Sequence, residues 1–222
     1  MEVITAFSYL APDLTTSDDT DEGSYFAVDA SSPSDICEFF KDNYPFVTDE
    51  DCNDINDHYP IMDPLPHHAP YFPSASAAYG DSTFTCPGSF LASAISSQFS
   101  PVYNYRYNVL DYTLLSLGLG VPHTFESPAI FGVGNAGDDP HSSYSTYNKE
   151  VVPMVMNYWI SFVRALDPNV FRHKQAPEWS AWVDGNAKRL RIQTADTMME
   201  HIPREHVEIF EFWRKLGDTM RH

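Results

Sequence analysis

Two side chains that could act together in proton transfer, Glu22 and His123, lie far apart in the sequence. His123 stands in a loop punctuated by Gly120 and Pro122, and loops on a rigid scaffold commonly present catalytic bases. An imidazole held by a carboxylate can take a proton from an attacking hydroxyl and return it to a leaving group. Each residue alone has a simpler interpretation. A single loop histidine is more often structural, and one glutamate among many acids can simply stabilise a helix N-terminus.

Glu126 follows His123 by three residues and is the third candidate. It could be a second carboxylate near the histidine. It could equally interact with the dipole of a short helix, because Ser127-Pro128 has the composition of an N-cap and a first-turn proline. Position alone favours the helix interpretation.

The spacing of apolar residues predicts several helices and a few separated strands. Strands are predicted at residues 2–10, at 102–107 and at 187–193, with Leu190 and Ile192 directed inward, whereas residues 11–20 are predicted to be a loop. Helices are predicted at residues 22–30, after caps at Ser34 and Thr48, and at 83–99, 127–131, 147–166 and 206–216. This mixture favours an α/β class, and two or three strands are too few for a covered parallel sheet. The sheet is therefore expected to be incomplete.

Composition limits the classes of partner. Hydrophobic residues make up 43% of the 222 residues and charged residues 20%, which is typical of a globular chain. The formal net charge of -18 disfavours binding to nucleic acid or to an anionic membrane surface. No apolar run approaches the roughly 18 residues that cross a bilayer. The start of the chain also lacks the basic and apolar regions of a secretory signal peptide.

The cysteines and the paired histidines give no metal signature. Cys37, Cys52 and Cys86 lack the spacing of metal ligands. Cys37 and Cys52 fall in two short predicted helices of one hairpin, so that a disulfide and buried free thiols both remain open. The neighbouring His67 and His68 lie on a proline-rich loop and are expected to be exposed to solvent. The sequence therefore predicts no metal site at these residues.

Six segments, in order, resemble the type-B carboxylesterases, the family of cholinesterases and fungal lipases. Asp19–Phe26 resembles the segment around the catalytic acid of that family, and Gly120–Glu126 resembles its G-x-x-H-x-x-E segment. The other four are the F-x-C-P sequence at Phe84, the P-V-Y-x-Y strand at Pro101, the stretch Trp159–Asn169 and the region Pro177–Trp182. Residues 18–214 carry the resemblance and residues 1–17 match poorly. The resemblance implies one partial domain over residues 1–222, without a separate second domain, and fungal members are the most similar.

The resemblance implies the C-terminal part of an α/β-hydrolase fold and the hydrolysis of small-molecule or lipid esters. It makes Glu22 the catalytic acid, His123 the general base and Glu126 a buried carboxylate near the histidine. His123 would take the proton of an attacking serine, while Glu22 would fix the imidazole tautomer. This chemistry needs no metal or cofactor. The side chains of Glu22 and His123 should then lie within hydrogen-bonding distance.

The sequence departs from the family in one respect that concerns the reaction itself. No G-x-S-x-G motif and no H-G-G-G-like oxyanion loop occur in the 222 residues. In the family these elements lie upstream, so the resemblance implies that the partner of this chain is a missing N-terminal half of the domain. Without a nucleophile the chain alone should be almost inert. The alternatives are a non-catalytic binding or adhesion protein on the same fold, and an acidic binding module unrelated to hydrolases.

Overall fold

The computed structural model describes residues 14–97, 101–137, 142–183, 185 and 187–220. Its four strands form one mixed sheet: β1 (Leu14–Asp19), β2 (Val102–Tyr107), β3 (Lys188–Ile192) and β4 (Met198–His201). The strands lie in the order β1-β2-β3-β4. β1, β2 and β3 are parallel, and β4 pairs with β3 in the antiparallel sense. Most residues of β2 and β3 are buried, as is usual for strands that helices cover on both faces.

Helices accompany this sheet, which confirms the predicted α/β class. They are α1 (Pro33–Asn43), α2 (Asp49–His58), α3 (Phe72–Gly80), α4 (Cys86–Ser96), α5 (Tyr112–Ser116), α6 (Ser127–Phe131), α7 (Val151–Ala165) and α8 (Arg204–Met220). Short 3-10 helices occur at Glu22–Tyr25 and Ser143–Ser145, and a π-helical turn at Asp81–Thr85 joins α3 to α4. Among the described residues, no helix is both long and apolar enough to cross a membrane.

Contacts between residues group the chain into two compact units, each built from three stretches of sequence. The sheet unit comprises Met1–Asp19, Gly88–Leu110 and Thr124–Ile202, and the helical unit comprises Thr20–Pro87, Asp111–His123 and Pro203–His222. The four strands belong to the sheet unit, whereas Glu22 and His123 both belong to the helical unit. The single partial domain expected from the sequence stays a prediction.

Aromatic side chains form much of the core of the sheet unit. The indole of Trp179 is 1% exposed and meets the rings of Tyr103, Tyr105 and Tyr158 edge to face. Its Nε1–H donates to the carbonyl oxygen of Asn104 at 3.0 Å, so the buried indole has its hydrogen-bond partner. The inward direction predicted for Leu190 and Ile192 is confirmed, because both are fully buried.

Two predicted elements were wrong: the helix predicted at residues 22–30 is only the 3-10 helix Glu22–Tyr25, and part of the loop predicted at residues 11–20 is a strand. Residues 14–19, predicted to be part of a loop, form β1. This segment looked unlike a strand because it is polar, but its polar side chains have partners in the sheet. Asn104 donates to the hydroxyl of Thr16 at 2.8 Å, and Arg189 binds Asp18. The strand predicted at residues 2–10 lies outside the described residues. The end of the proline-rich loop and the segment after residue 193 also contain elements that were not predicted, α3 and β4.

One charged side chain from each strand joins a network across the sheet. Arg106 of β2 donates to both oxygens of Glu200 on β4, each at 2.8 Å. Arg189 of β3 donates to Glu200 at 2.9 Å and to Asp18 of β1 at 3.0 Å, and its side chain is 2% exposed. Burial would raise the pKa of Glu200, but the two arginines outweigh burial and hold this pKa below its usual range. The network therefore links the four strands.

Replacing Arg189 by methionine should lower the free energy of unfolding by about 3–5 kcal/mol, because Asp18 is then buried without its guanidinium partner. Equilibrium unfolding in urea measures the change. Arg204→Met is the matched control, since the pair of Arg204 with Glu208 is exposed and such pairs contribute little. An Arg189 variant that is no less stable than this control would contradict the importance of the network.

Candidate active site

Glu22 begins a 3-10 helix that is packed very closely against α3. A Cβ atom added to Gly23 would lie 2.0 Å from the carbonyl oxygen of Ser76, and one added to Gly80 would lie 3.0 Å from the Gly23 nitrogen. Only residues without a side chain allow the two backbones to approach in this way. Glu22 itself is 6% exposed. The two glycines therefore allow the acid to be held in a buried and fixed position.

His123 ends a short loop in which some backbone conformations are favourable only for glycine. Gly118 and Gly120 have φ angles of +74° and +65°, which side chains disfavour, and both are glycines. Pro122 restricts Val121 to extended conformations immediately before the histidine. Thr124, directly after it, is a β-branched residue with a φ of +68°. Backbone outliers of this kind cluster at functional sites, where the surrounding structure holds them.

The side chains of Glu22 and His123 meet within the helical unit. Nδ1 of His123 lies 2.6 Å from Oε2 of Glu22, so the contact expected from the sequence is present. The side chain of His123 is 35% exposed, whereas that of Glu22 is 7% exposed. Because a carboxylate accepts hydrogen bonds, the proton of this bond belongs on Nδ1, and in the neutral ring Nε2 carries the lone pair. The imidazole can then accept a proton at Nε2.

Two phenylalanines contact the imidazole. The ring of Phe84, on the π-helical turn, lies 4.7 Å from the ring of His123 between centroids, and Phe26 meets His123 edge to face at 5.4 Å. Phe26 and Phe84 are also stacked on each other at 5.7 Å. These rings restrict rotation of the imidazole and leave it in line with Glu22. The contact of Phe84 was not foreseen, although the F-x-C-P sequence that contains it had been recognised.

Glu126 lies in the sheet unit, immediately before α6. It occupies the N-cap position without a side-chain capping bond, and its Oε2 is buried with no hydrogen-bond partner among the described residues. Its charge is close enough to contribute, after burial, to the raised pKa of Tyr105. The role of a carboxylate near the catalytic histidine stays a prediction.

A cavity of about 560 Å³ borders Glu22 inside the helical unit. Its wall includes the polar residue Ser24 and the apolar side chains of Met62, Leu65 and Leu115. Glu22 therefore borders an open pocket as well as the imidazole.

The solvent exposure predicted for the histidine pair is correct for His67 but wrong for His68, whose side chain is 18% exposed. The ring of His68 is stacked on Phe72 at 3.6 Å, and its Nε2 lies 3.1 Å from the carbonyl oxygen of Leu117. Cys37 and Cys52 form a disulfide between α1 and α2, which decides the question left open by the sequence, and Cys86 is free and buried. Within the described ranges, no group of three or more His, Cys, Asp or Glu side chains is arranged to hold a metal ion.

Comparison with known proteins shows which family this chain resembles in sequence and in fold. The model of the Carboxylesterase family matches residues 14–210. Secreted lipase 4 of Gibberella zeae is 26% identical over 197 residues, which cover 83% of this chain and 33% of the lipase. The acetylcholinesterase of Gallus gallus is 26% identical over 137 residues, or 61% of this chain and 17% of that enzyme.

The crystal structure of Aspergillus niger EstA superposes with a TM-score of 0.91 at 49% identity. The match covers 94% of this chain and 40% of EstA, so the fold is part of an α/β-hydrolase fold. The chain thus spans a third or less of the two curated relatives. Because the family model covers most of its length, we conclude that this chain belongs to the type-B carboxylesterase family.

Proposed function

We propose that this chain supplies the acid and the general base of a carboxylic-ester hydrolase. The observation that carries the proposal is the 2.6 Å hydrogen bond between His123 Nδ1 and Glu22 Oε2. Membership of the carboxylesterase family supports ester hydrolysis as the reaction. A purely structural scaffold would have no chemical need to keep a buried carboxylate in contact with a partly exposed imidazole.

In the proposed reaction, Nε2 of His123 takes the proton of an attacking serine hydroxyl. The serine oxygen bonds to the ester carbonyl carbon, and the imidazolium then gives its proton to the departing alcohol. Glu22 keeps the proton of the neutral ring on Nδ1 and stabilises the imidazolium while it exists. A water molecule then attacks the acyl-serine ester while His123 takes its proton. His123 returns this proton to the serine oxygen, and the carboxylic acid is released. We propose Glu126 as a second buried carboxylate that supports the histidine.

The nucleophile and the oxyanion donors are proposed to come from outside these 222 residues, since no G-x-S-x-G motif occurs among them. The family supplies both from its N-terminal half, which is the proposed partner of this chain. The substrate is a small-molecule or lipid ester that the complete domain would bind.

Two measurements on p-nitrophenyl butyrate test the proposal. The purified chain alone should show only background hydrolysis, because loss of the nucleophile costs on the order of a million-fold in turnover. Robust turnover that a serine-reactive phosphonate blocks would overturn the assignment of the nucleophile to another polypeptide segment.

The second measurement supplies the missing part. A chimaera joins the N-terminal portion of EstA that this chain does not cover to this chain from Leu14 onward, and EstA is assayed in parallel. The chimaera should hydrolyse the ester and react with the phosphonate. If it folds, as judged by circular dichroism, and EstA hydrolyses the ester but the chimaera does not, the proposed catalytic role fails. That result would favour a non-catalytic binding or adhesion protein on the same fold.

A further inference from the structure

Asp21 connects the segment that carries Glu22 to the loop that carries His123. Its backbone N–H donates to the carbonyl oxygen of Val121 at 2.9 Å, and its Oδ2 accepts the N–H of Val121 at 2.8 Å. Asp21 directly precedes Glu22, and Val121 lies two residues before His123. These two bonds, together with the bond between Glu22 and His123, close a small ring of contacts between segments that are remote in the sequence.

The carboxylate of Asp21 does not make the capping hydrogen bond that is usual for an aspartate at a helix N-terminus. Asp21 is the N-cap residue of the 3-10 helix Glu22–Tyr25, where an aspartate side chain normally accepts from its own helix. No such capping bond is formed by the Asp21 side chain, which accepts from Val121 instead. The carboxylate is thus used to fix the loop of His123 rather than to begin the helix.

Gly120 provides the space for this carboxylate. A Cβ atom at position 120 would lie 2.1 Å from Oδ2 of Asp21, and the φ of +65° is itself unfavourable for other residues. Pro122, which follows Val121 in the chain, limits Val121 to an extended conformation. Gly120 and Pro122 therefore flank Val121 and allow its N–H and C=O to reach Asp21.

We propose that Asp21 is a positioning residue, which holds the loop of His123 in register with the 3-10 helix so that Nδ1 of His123 meets Glu22. This inference deepens the proposed function, since the pair that Asp21 positions is the proposed acid and base. The essential part of Asp21 is its capacity to accept the Val121 N–H, and an asparagine at this position retains such an acceptor.

The experiment uses the full 222-residue chain, labelled with ¹⁵N, and compares Asp21→Ala with Asp21→Asn. Two quantities are measured by NMR: the low-field resonance of the proton on Nδ1 of His123, assigned by its loss in His123→Gln, and the hydrogen-exchange rate of the Val121 amide. Asp21→Ala should abolish or broaden the low-field resonance and accelerate Val121 exchange by about 10- to 100-fold. Asp21→Asn should keep both close to those of the unmodified chain. Asp57→Ala, which removes an exposed carboxylate of the same unit, is the control and should change neither.

The outcomes separate this inference from the proposed function. Equal Val121 exchange in the unmodified chain and in Asp21→Ala would overturn the positioning role, and so would an Asp21→Asn variant as damaged as Asp21→Ala. Absence of the low-field resonance from the unmodified chain would instead contradict the pairing of Glu22 with His123. In that case Val121 exchange still tests the bonds of Asp21. Gly120→Ala gives a second test, since it should also accelerate Val121 exchange by displacing the carboxylate.

Discussion

His123→Ala in the chimaera with EstA should lower kcat for p-nitrophenyl butyrate on the order of a million-fold, with a much smaller change in KM. Without the imidazole, no base takes the proton of the serine hydroxyl and no acid gives a proton to the departing alcohol. We expect the complete domain to bind the ester mainly through other parts of the site, so that the affinity depends little on the imidazole. Steady-state kinetics above the rate of the buffer alone measures the loss.

The matched control for this variant is His67→Ala, because His67 is an exposed histidine of the same helical unit. It should leave kcat within about twofold, as expected for a surface position. A chimaera with alanine at position 123 that keeps a tenth or more of its activity would show that another group acts as the base.

Glu22→Gln should lower kcat in the same chimaera by about 10⁴-fold. The side chain keeps its shape, but its amide can donate to Nδ1 of His123 and so favour the tautomer whose proton is on Nε2. That tautomer cannot take the proton of the serine. Glutamine also lacks the negative charge that stabilises the imidazolium during the reaction. The loss should therefore be large but smaller than that of His123→Ala.

Glu50→Gln is the control, since Glu50 is an exposed acid in the first turn of α2 and should change kcat little. If the Glu22→Gln chimaera retained nearly full kcat, a residue other than Glu22 would have to orient the imidazole of His123.

The sequence alone predicted the helices and strands whose apolar residues recur at regular spacing. It also predicted the contact of residues that lie in segments resembling the family. The helix predicted at residues 147–166 is present as α7, and the strand at 102–107 is present as β2. The capping signal at Thr48 corresponds to a complete capping box with Asp51. The contact between Glu22 and His123 followed from family segments, because spacing alone left simpler interpretations open for each residue.

The parts that were missed depend on tertiary contacts. β1 was not predicted because Thr16 and Asp18 are polar and become acceptable in a strand only when Asn104 and Arg189 are beside them. The contact of Asp21 with Val121 has no local signal, since an aspartate before a helix is ordinarily interpreted as its cap. Cysteine spacing alone could not decide between a disulfide and two free thiols.

The end of the chain has a consequence for when this site can form. Trp213 of α8 stacks on Phe40 at 5.6 Å and donates from Nε1 to the hydroxyl of Tyr59 at 2.7 Å. Tyr59 in turn donates to Asp81 at 2.8 Å, and burial together with the charge of Asp81 raises the pKa of Tyr59, so the phenol remains a donor. Asp81 begins the π-helical turn that holds Phe84 against His123. Ribosomes synthesise α8 long after the residues it supports. A nascent chain therefore contains both Glu22 and His123 well before the indole of Trp213 can pack on Phe40 and bind Tyr59.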